Sequence, residues 1–172
     1  MSGLFERKEI KNMPGSVMMN ANDAVYGGLA ECYITINGRR CNFMNMTQFE
    51  SKWDVNITDV PILGKVGMGH KAAGGKGTWS GTAHYNQSHF RKMADEYQKT
   101  GVMPYFEIQV SNEDPTSTVG RQTIILRGCL CDSFILAKFE AGEEILDEDL
   151  SGTFESWDMP ETFKELEGVL TN

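Results

Sequence analysis

The sequence predicts a mainly β fold, an antiparallel β-sandwich or barrel-like arrangement with one flanking α-helix. Three observations carry that expectation. Segments in which apolar and polar residues alternate recur along the chain, the period of a strand with one buried face. Asn37-Gly38 sits between two of them, and this pair is the strongest short hairpin signal. Only one stretch, near residues 87–100, shows the i, i+3, i+4, i+7 apolar spacing of an amphipathic helix.

At 172 residues the chain has the length of one ordinary domain, and 40% hydrophobic residues suffice for a core. A formal net charge of −8 argues against holding nucleic acid through its phosphates or adhering to an anionic membrane surface. No apolar run approaches the ~20 residues of a membrane span. The N-terminus shows no secretory leader pattern, so the reducing cytosol is the default expectation. Cys32, Cys41, Cys129 and Cys131 lack zinc-ligand spacing and read as small apolar core residues. His70, His84 and His89 form no metal motif, so neither a metal nor a cofactor is expected.

Residues 1–28 hold Met13-Pro14-Gly15 and Gly27-Gly28 without sustained periodicity, and read as an N-terminal arm preceding a domain over 29–172. Residues 29–36 and 39–46 form the hairpin. Folding about Asn37-Gly38 pairs Ile36 with Arg39, Ile34 with Cys41 and Cys32 with Phe43 on an apolar face. Over 49–58, Phe49, Ser51, Trp53, Val55 and Ile57 alternate with Glu50, Lys52, Asp54, Asn56 and Thr58, a strand with one polar face. Residues 59–77 carry six glycines and one proline with no evident period, and are expected to form a long loop. A phosphate-binding loop does not fit there. His70 stands where its first glycine belongs, and Gly77 replaces the Ser or Thr after Gly75-Lys76. Ile62, Leu63, Val66 and Met68 among the glycines suit a docking loop instead.

Residues 78–85 read as a strand with Trp79 and Tyr85 on one side. Asn86 or Ser88 then caps a helix whose stripe is Phe90, Met93, Ala94 and Tyr97, closed by Gly101. Residues 105–111 form a strand with Phe106, Ile108 and Val110 inward, followed by a turn over 112–115. Residues 122–139 are β-prone throughout, and Gly128 or Asp132-Ser133 is expected to divide them into two strands. The acidic run over 140–149 reads as a solvated surface, or more sharply as a docking strip for a basic partner. Residues 152–158 alternate as a last strand. Residues 160–170 form a tail with room for one or two helical turns.

The order of these motifs is similar to one known family. His84-Tyr85-Asn86-Gln87-Ser88-His89-Phe90-Arg91 opens the helix, Asn112-Glu113-Asp114-Pro115-Thr116-Ser117 leads to Gly120-Arg121-Gln122-Thr123, and Leu136-Ala137-Lys138-Phe139 comes next. Together with the Asn-Gly hairpin and Val60-Pro61-Ile62-Leu63-Gly64, this resembles the tail tube proteins of contractile-tailed phages and of PBSX-type, phage-tail-like prophage particles. The likeness spans roughly residues 20–170.

The resemblance implies a structural protein rather than an enzyme. Its β-sandwich subunits would form homo-hexameric rings, and the stacked rings would build the inner tube of a virion tail or tail-like particle. Its implied partners are further copies of itself and sheath, tape-measure and baseplate proteins, with DNA passing the lumen without specific binding. It would be made in the bacterial host cytoplasm and carry no membrane anchor. Under this reading Pro61, Ile62, Leu63, Val66, Met68 and Lys71 are contacts between subunits or rings, and Glu50, Lys52 and Asp54 face the lumen. The alternatives are a ring protein of the type VI secretion kind, or a small ligand-binding barrel or enzyme with a pocket of convergent polar groups.

Overall fold

The fold starts from the Asn37-Gly38 turn. Both residues take positive φ, 50° and 75°, as a two-residue hairpin turn requires. In this computed structural model, which describes residues 19–43 and 45–166, the turn joins β1 (Glu31–Ile36) to β2 (Arg39–Asn42). Ile36 lies opposite Arg39 and Ile34 opposite Cys41, the register read from the sequence. The Phe43 amide donates to the Cys32 carbonyl at 2.9 Å, which extends the pairing one step further. Of the N-terminal arm, residues 1–18 lie outside the described residues. Residues 21–23 and 27–29 form two short 3-10 turns.

The remaining elements are β3 (Met46–Val60), β4 (Gly69–His84), α1 (His89–Thr100), β5 (Phe106–Glu113), β6 (Arg121–Cys131), β7 (Asp147–Phe154) and β8 (Ser156–Glu161). All strand pairs are antiparallel. One sheet has the order β2-β1-β5-β6, with β8 on the far side of β6; the other has the order β3-β4-β7. The two meet at a corner. β7 and β8 are almost one strand running along β6, interrupted at Glu155, whose amide donates to the Arg127 carbonyl at 3.0 Å. Gly128 bulges opposite with φ 65°, and a side chain there would crowd the Glu155 carboxylate. Leu130 and Cys131 at the end of β6 pair with Thr153 and Gly152, so β6 belongs to both sheets.

Inward residues of both sheets make one core, among them Ile34, Trp79, Phe106, Ile108, Leu126 and Leu150. Aromatic rings run through it edge to face. Phe43 meets Phe90 at 5.5 Å, Phe90 meets Phe106 at 6.1 Å, and Phe106 meets Trp79 at 5.9 Å. α1 begins after Ser88 and ends at Gly101, whose φ of 71° suits a left-handed cap. Phe90 and Met93 of the predicted stripe are buried, whereas Tyr97 is half exposed. The helix is also tied by charge. Arg91 reaches the buried carboxylate of Glu148 at 2.8 Å, lies over the Tyr85 ring, and donates to the Gln87 and Ile135 carbonyls.

Three expectations are corrected. Residues 59–77 are not a long loop, because β3 runs to Val60 and β4 begins at Gly69, leaving only 61–68 as connection. Ala72, Ala73, Gly74, Gly75 and Gly77 carry too little side chain to show alternation, yet Ala72, Gly75 and Gly77 pair with β3, and Ala73 and Gly74 fall at a bulge between them. Residues 122–139 hold one strand, not two. After Cys131 the chain leaves the sheet, with the Asp132 amide donating to the Ser151 carbonyl and the Ser151 hydroxyl donating to the Asp132 carboxylate. The Ile135 and Leu136 carbonyls then accept from Arg91 and Tyr85 instead of from a strand. The 112–115 turn also starts later than expected, since β5 includes Asn112 and Glu113. Buried Asp114 orders the turn after β5, accepting from the Thr116 hydroxyl and the Tyr26 and Thr116 amides, which hold its carboxyl below the usual range.

Two measurements check this packing. A Cβ on Gly152 would overlap the Leu130 carbonyl oxygen at the corner, so Gly152→Ala should lower stability by about 2–3 kcal/mol in urea unfolding. Burial pushes the Cys32 and Cys129 thiols up to about 12 and Cys131 up to about 11. Iodoacetamide at pH 8 should therefore label the partly exposed Cys41 first in the folded chain, and the other three only on unfolding.

Candidate functional site

β3 and β4 outrun the rest of their sheet. β7 pairs with β4 only from Gly77 to His84. Beyond that point, residues 54–60 and 69–76 continue as a two-stranded ribbon projecting about 25 Å at ~3.3 Å per residue. The base of the ribbon is fixed by rings. Trp53 lies 6.0 Å from Phe154 and 5.0 Å from Trp157. Gly75 and Gly77 make this possible, because side chains there would collide with Trp53 and Phe154. Farther out, a bulge falls between Val55 and Ile57, with Gly74 at φ 88°. Asp59 and His70 pair at 2.8 Å. Val55, Ile57 and Val60 are exposed, and at the tip Leu63 and Val66 are fully so. A lone two-stranded ribbon is marginal in water, and contiguous exposed apolar residues mark a contact surface.

Pro61, Ile62, Leu63, Val66 and Met68 all fall in the 61–68 turn, and Lys71 stands near it on β4 opposite Thr58. The structure thus gathers all six predicted contact residues at one extremity.

Glu50, Lys52 and Asp54 are exposed on the face of β3 that points away from the core, opposite Ser80, Thr78 and Lys76 of β4. Lys52 and Asp54 lie 3.9 Å apart. The same face continues across β7 through Thr153, Ser151 and Asp149, where the Thr82 hydroxyl donates to Asp149 at 2.8 Å. Glu50, Asp54, Asp132 and Asp149 outnumber Lys52 and Lys76 on it, so the surface is polar and net acidic. The outer face of the other sheet is ion-paired within itself. Arg121 sits between Glu31, Glu113 and Glu161, and Arg127 between Glu107 and Asp158.

The margins complete the picture. Among the described residues no strand pairs with the outer edge of β3, which is 15 residues long. Sequence reasoning missed half of the ribbon and the contact of Trp53 with Trp157. The signal available for the former was the small-residue run itself, which is what a closely approached strand demands. Among the described residues no group of three or more His, Cys, Asp or Glu converges as a metal site. No helix among them is long and apolar enough to cross a membrane.

The comparisons with known proteins agree with these features. A family model described as phage tail tube protein matches residues 17–161. YqbM, an uncharacterized protein of Bacillus subtilis (strain 168), is 34% identical over 116 residues, 67% of this chain and 79% of the relative. The phage-like element PBSX protein XkdM of the same organism is 34% identical over 113 residues, 66% of this chain and 77% of its own length. Among solved structures, the cap that terminates the anti-feeding prophage tube matches with a TM-score of 0.59 at 11% identity, over 90% of this chain and 99% of that one. A chain of the baseplate of the same particle gives 0.57 at 12% identity, over 76% and 91%. A sheath–tube complex of an extracellular contractile injection system gives 0.53 at 10% identity, over 74% and 86%. At these identities the likeness to the solved structures is one of fold. The family match over residues 17–161 is what settles kinship: this chain belongs to the phage tail tube protein family.

Proposed function

We propose that the chain polymerises as stacked hexameric rings into the inner tube of a phage tail or tail-like particle, a conduit for DNA ejection or membrane puncture. The observation that carries this reading is the 15-residue margin of β3, which no strand among the described residues takes up, on a sheet whose outward face is polar. Its exposed amides and carbonyls form a template for a strand from an identical neighbour. A heterologous contact of that kind closes into a ring when the rotation between copies allows it. A baseplate chain of similar fold was solved with six-fold symmetry, which favours six copies.

The dimensions suit a conduit. β3, β4, β7 and the end of β6 give about four strands per copy and about 24 per ring. At ~4.8 Å per strand and ~40° tilt, the circumference is about 150 Å and the backbone diameter about 48 Å. Side chains leave a lumen of roughly 40 Å, wider than a DNA duplex. With Glu50, Lys52 and Asp54 on the lumen wall, the net acidic face repels phosphates and lets DNA pass without being held. The ribbon tip, with Pro61, Ile62, Leu63, Val66, Met68 and Lys71, reaches the adjacent ring. The work is geometric, so neither catalysis nor a cofactor enters. Sheath, tape-measure and baseplate proteins are the remaining partners, in keeping with the sheath–tube complex of similar fold. The chain is made in the host cytoplasm and acts in the assembled particle.

Negative-stain microscopy of the purified chain, alone and added to the induced host particle, should show hollow tubes with a bore of roughly 40 Å; a closed monomer that never assembles would overturn the proposal. Replacing residues 61–68 by Asn-Gly should change unfolding free energy by less than about 1 kcal/mol, because every residue removed is exposed. It should abolish tubes while leaving soluble subunits. Normal tubes from that variant would remove the tip from the assembly contact.

A further inference from the structure

The ribbon tip has a counterpart at the far end of the same sheet. After Cys131 the chain runs through residues 132–146 before entering β7, and this segment lies by His84, the C-terminal end of β4. The Tyr85 amide donates to the Leu146 carbonyl, and the Tyr85 hydroxyl to the Leu136 carbonyl. Leu136, Phe139 and Ile145 are exposed on it, Phe139 at 91%. Glu140, Glu143 and Glu144 are exposed between them, and Lys138 spends its ammonium on the Asp147 carbonyl at 2.8 Å. At the other end of β4, Val66 and Met68 are exposed between Lys65 and Lys71, with Leu63 exposed just before them. Both poles are therefore apolar surfaces with charged borders, one acidic and one basic.

We propose that the 136–145 segment is the docking site for the ribbon tip of a second copy, so that Lys65 and Lys71 meet Glu140, Glu143 and Glu144 around an apolar centre. This rests on the proposed tube and names the receiving surface for the tip. The two poles cannot meet within one chain. β4 holds 16 residues, and at ~3.3 Å each they span about 50 Å. The contact is heterologous, so it propagates copy after copy along the ribbon direction and does not terminate at a pair. Apolar burial supplies the attraction, and the charges set polarity by making tip-to-tip and acid-to-acid approach repulsive. Stacking should accordingly weaken with added salt, while backbone pairing along the β3 margin responds much less.

Charge reversal tests this. K65E/K71E and E140K/E143K/E144K should each cut the polymer pelleted by ultracentrifugation about tenfold, and the five reversals combined in one chain should restore it. In the unaltered protein, a carbodiimide that joins amines to carboxylates should link Lys65 or Lys71 of an isotopically labelled copy to Glu140, Glu143 or Glu144 of an unlabelled one. That second measurement does not depend on any variant folding. Single reversals that polymerise like the parent, a folded combined variant that stays defective, or cross-links confined to closed two-copy species would overturn the docking site while leaving the tube reading intact. A parent chain that forms no polymer, alone or on induced particles, would overturn the tube reading and this proposal with it.

Discussion

A strand margin exposed to water must be blunted, covered or continued, and the edge of β3, which no strand among the described residues covers, imposes that choice on this molecule. Charged and polar side chains on its outward face and two bulges discourage random pairing. They do not close the edge. No described strand takes up that edge along Met46–Val60, whose fifteen residues exceed the usual strand length of about five or six. A protein acting as a monomer would be burdened by such an edge. For the polymer subunit proposed above it is a means of recognition, since backbone pairing is directional and any copy can supply the partner.

The rest of the fold holds that edge in position. Trp53, Phe154 and Trp157 clasp the base of the ribbon, and Gly75 and Gly77 let the rings lie against the backbone. Arg91 and Glu148 join the helix to the second sheet, a charge pair removed from water and therefore dependent on good geometry. The helix in turn receives the carbonyl of Ile135, so the segment after β6 is carried by the same pair. Packing, ion pair and exposed surface thus form one connected support.

Much of this was legible from residue order. Asn37-Gly38 announced the first hairpin with its register, because turn chemistry and side-chain alternation are local properties. The stripe of Phe90, Met93, Ala94 and Tyr97 located the helix for the same reason. Pro61, Ile62, Leu63, Val66 and Met68, expected in a loop over 59–77, lie in the 61–68 turn with Lys71 near it on β4. What stayed hidden depends on distant partners. β4 from Gly69 to Gly77 shows no period because residues 72–75 and 77 are alanine or glycine, and at Gly75 and Gly77 the rings of Trp53 and Phe154 leave no room for a side chain. Residues 134–139 look like a strand and are not one, because Arg91 and Tyr85 claim carbonyls that a neighbouring strand would need. The Glu148 partner of Arg91 is 57 positions away, beyond any local pattern.

The corner at Glu155 has a mechanical meaning. β6 and the β7–β8 run pass from one layer to the other with their ladder broken at Glu155 and Gly128, so the two sheets share the same backbone. Prising the layers apart means shearing a row of hydrogen bonds loaded side by side, which is far stiffer than opening a loop hinge. Two layers tied in this way move as one body, so a load applied to either sheet is passed to the other through the β6 backbone.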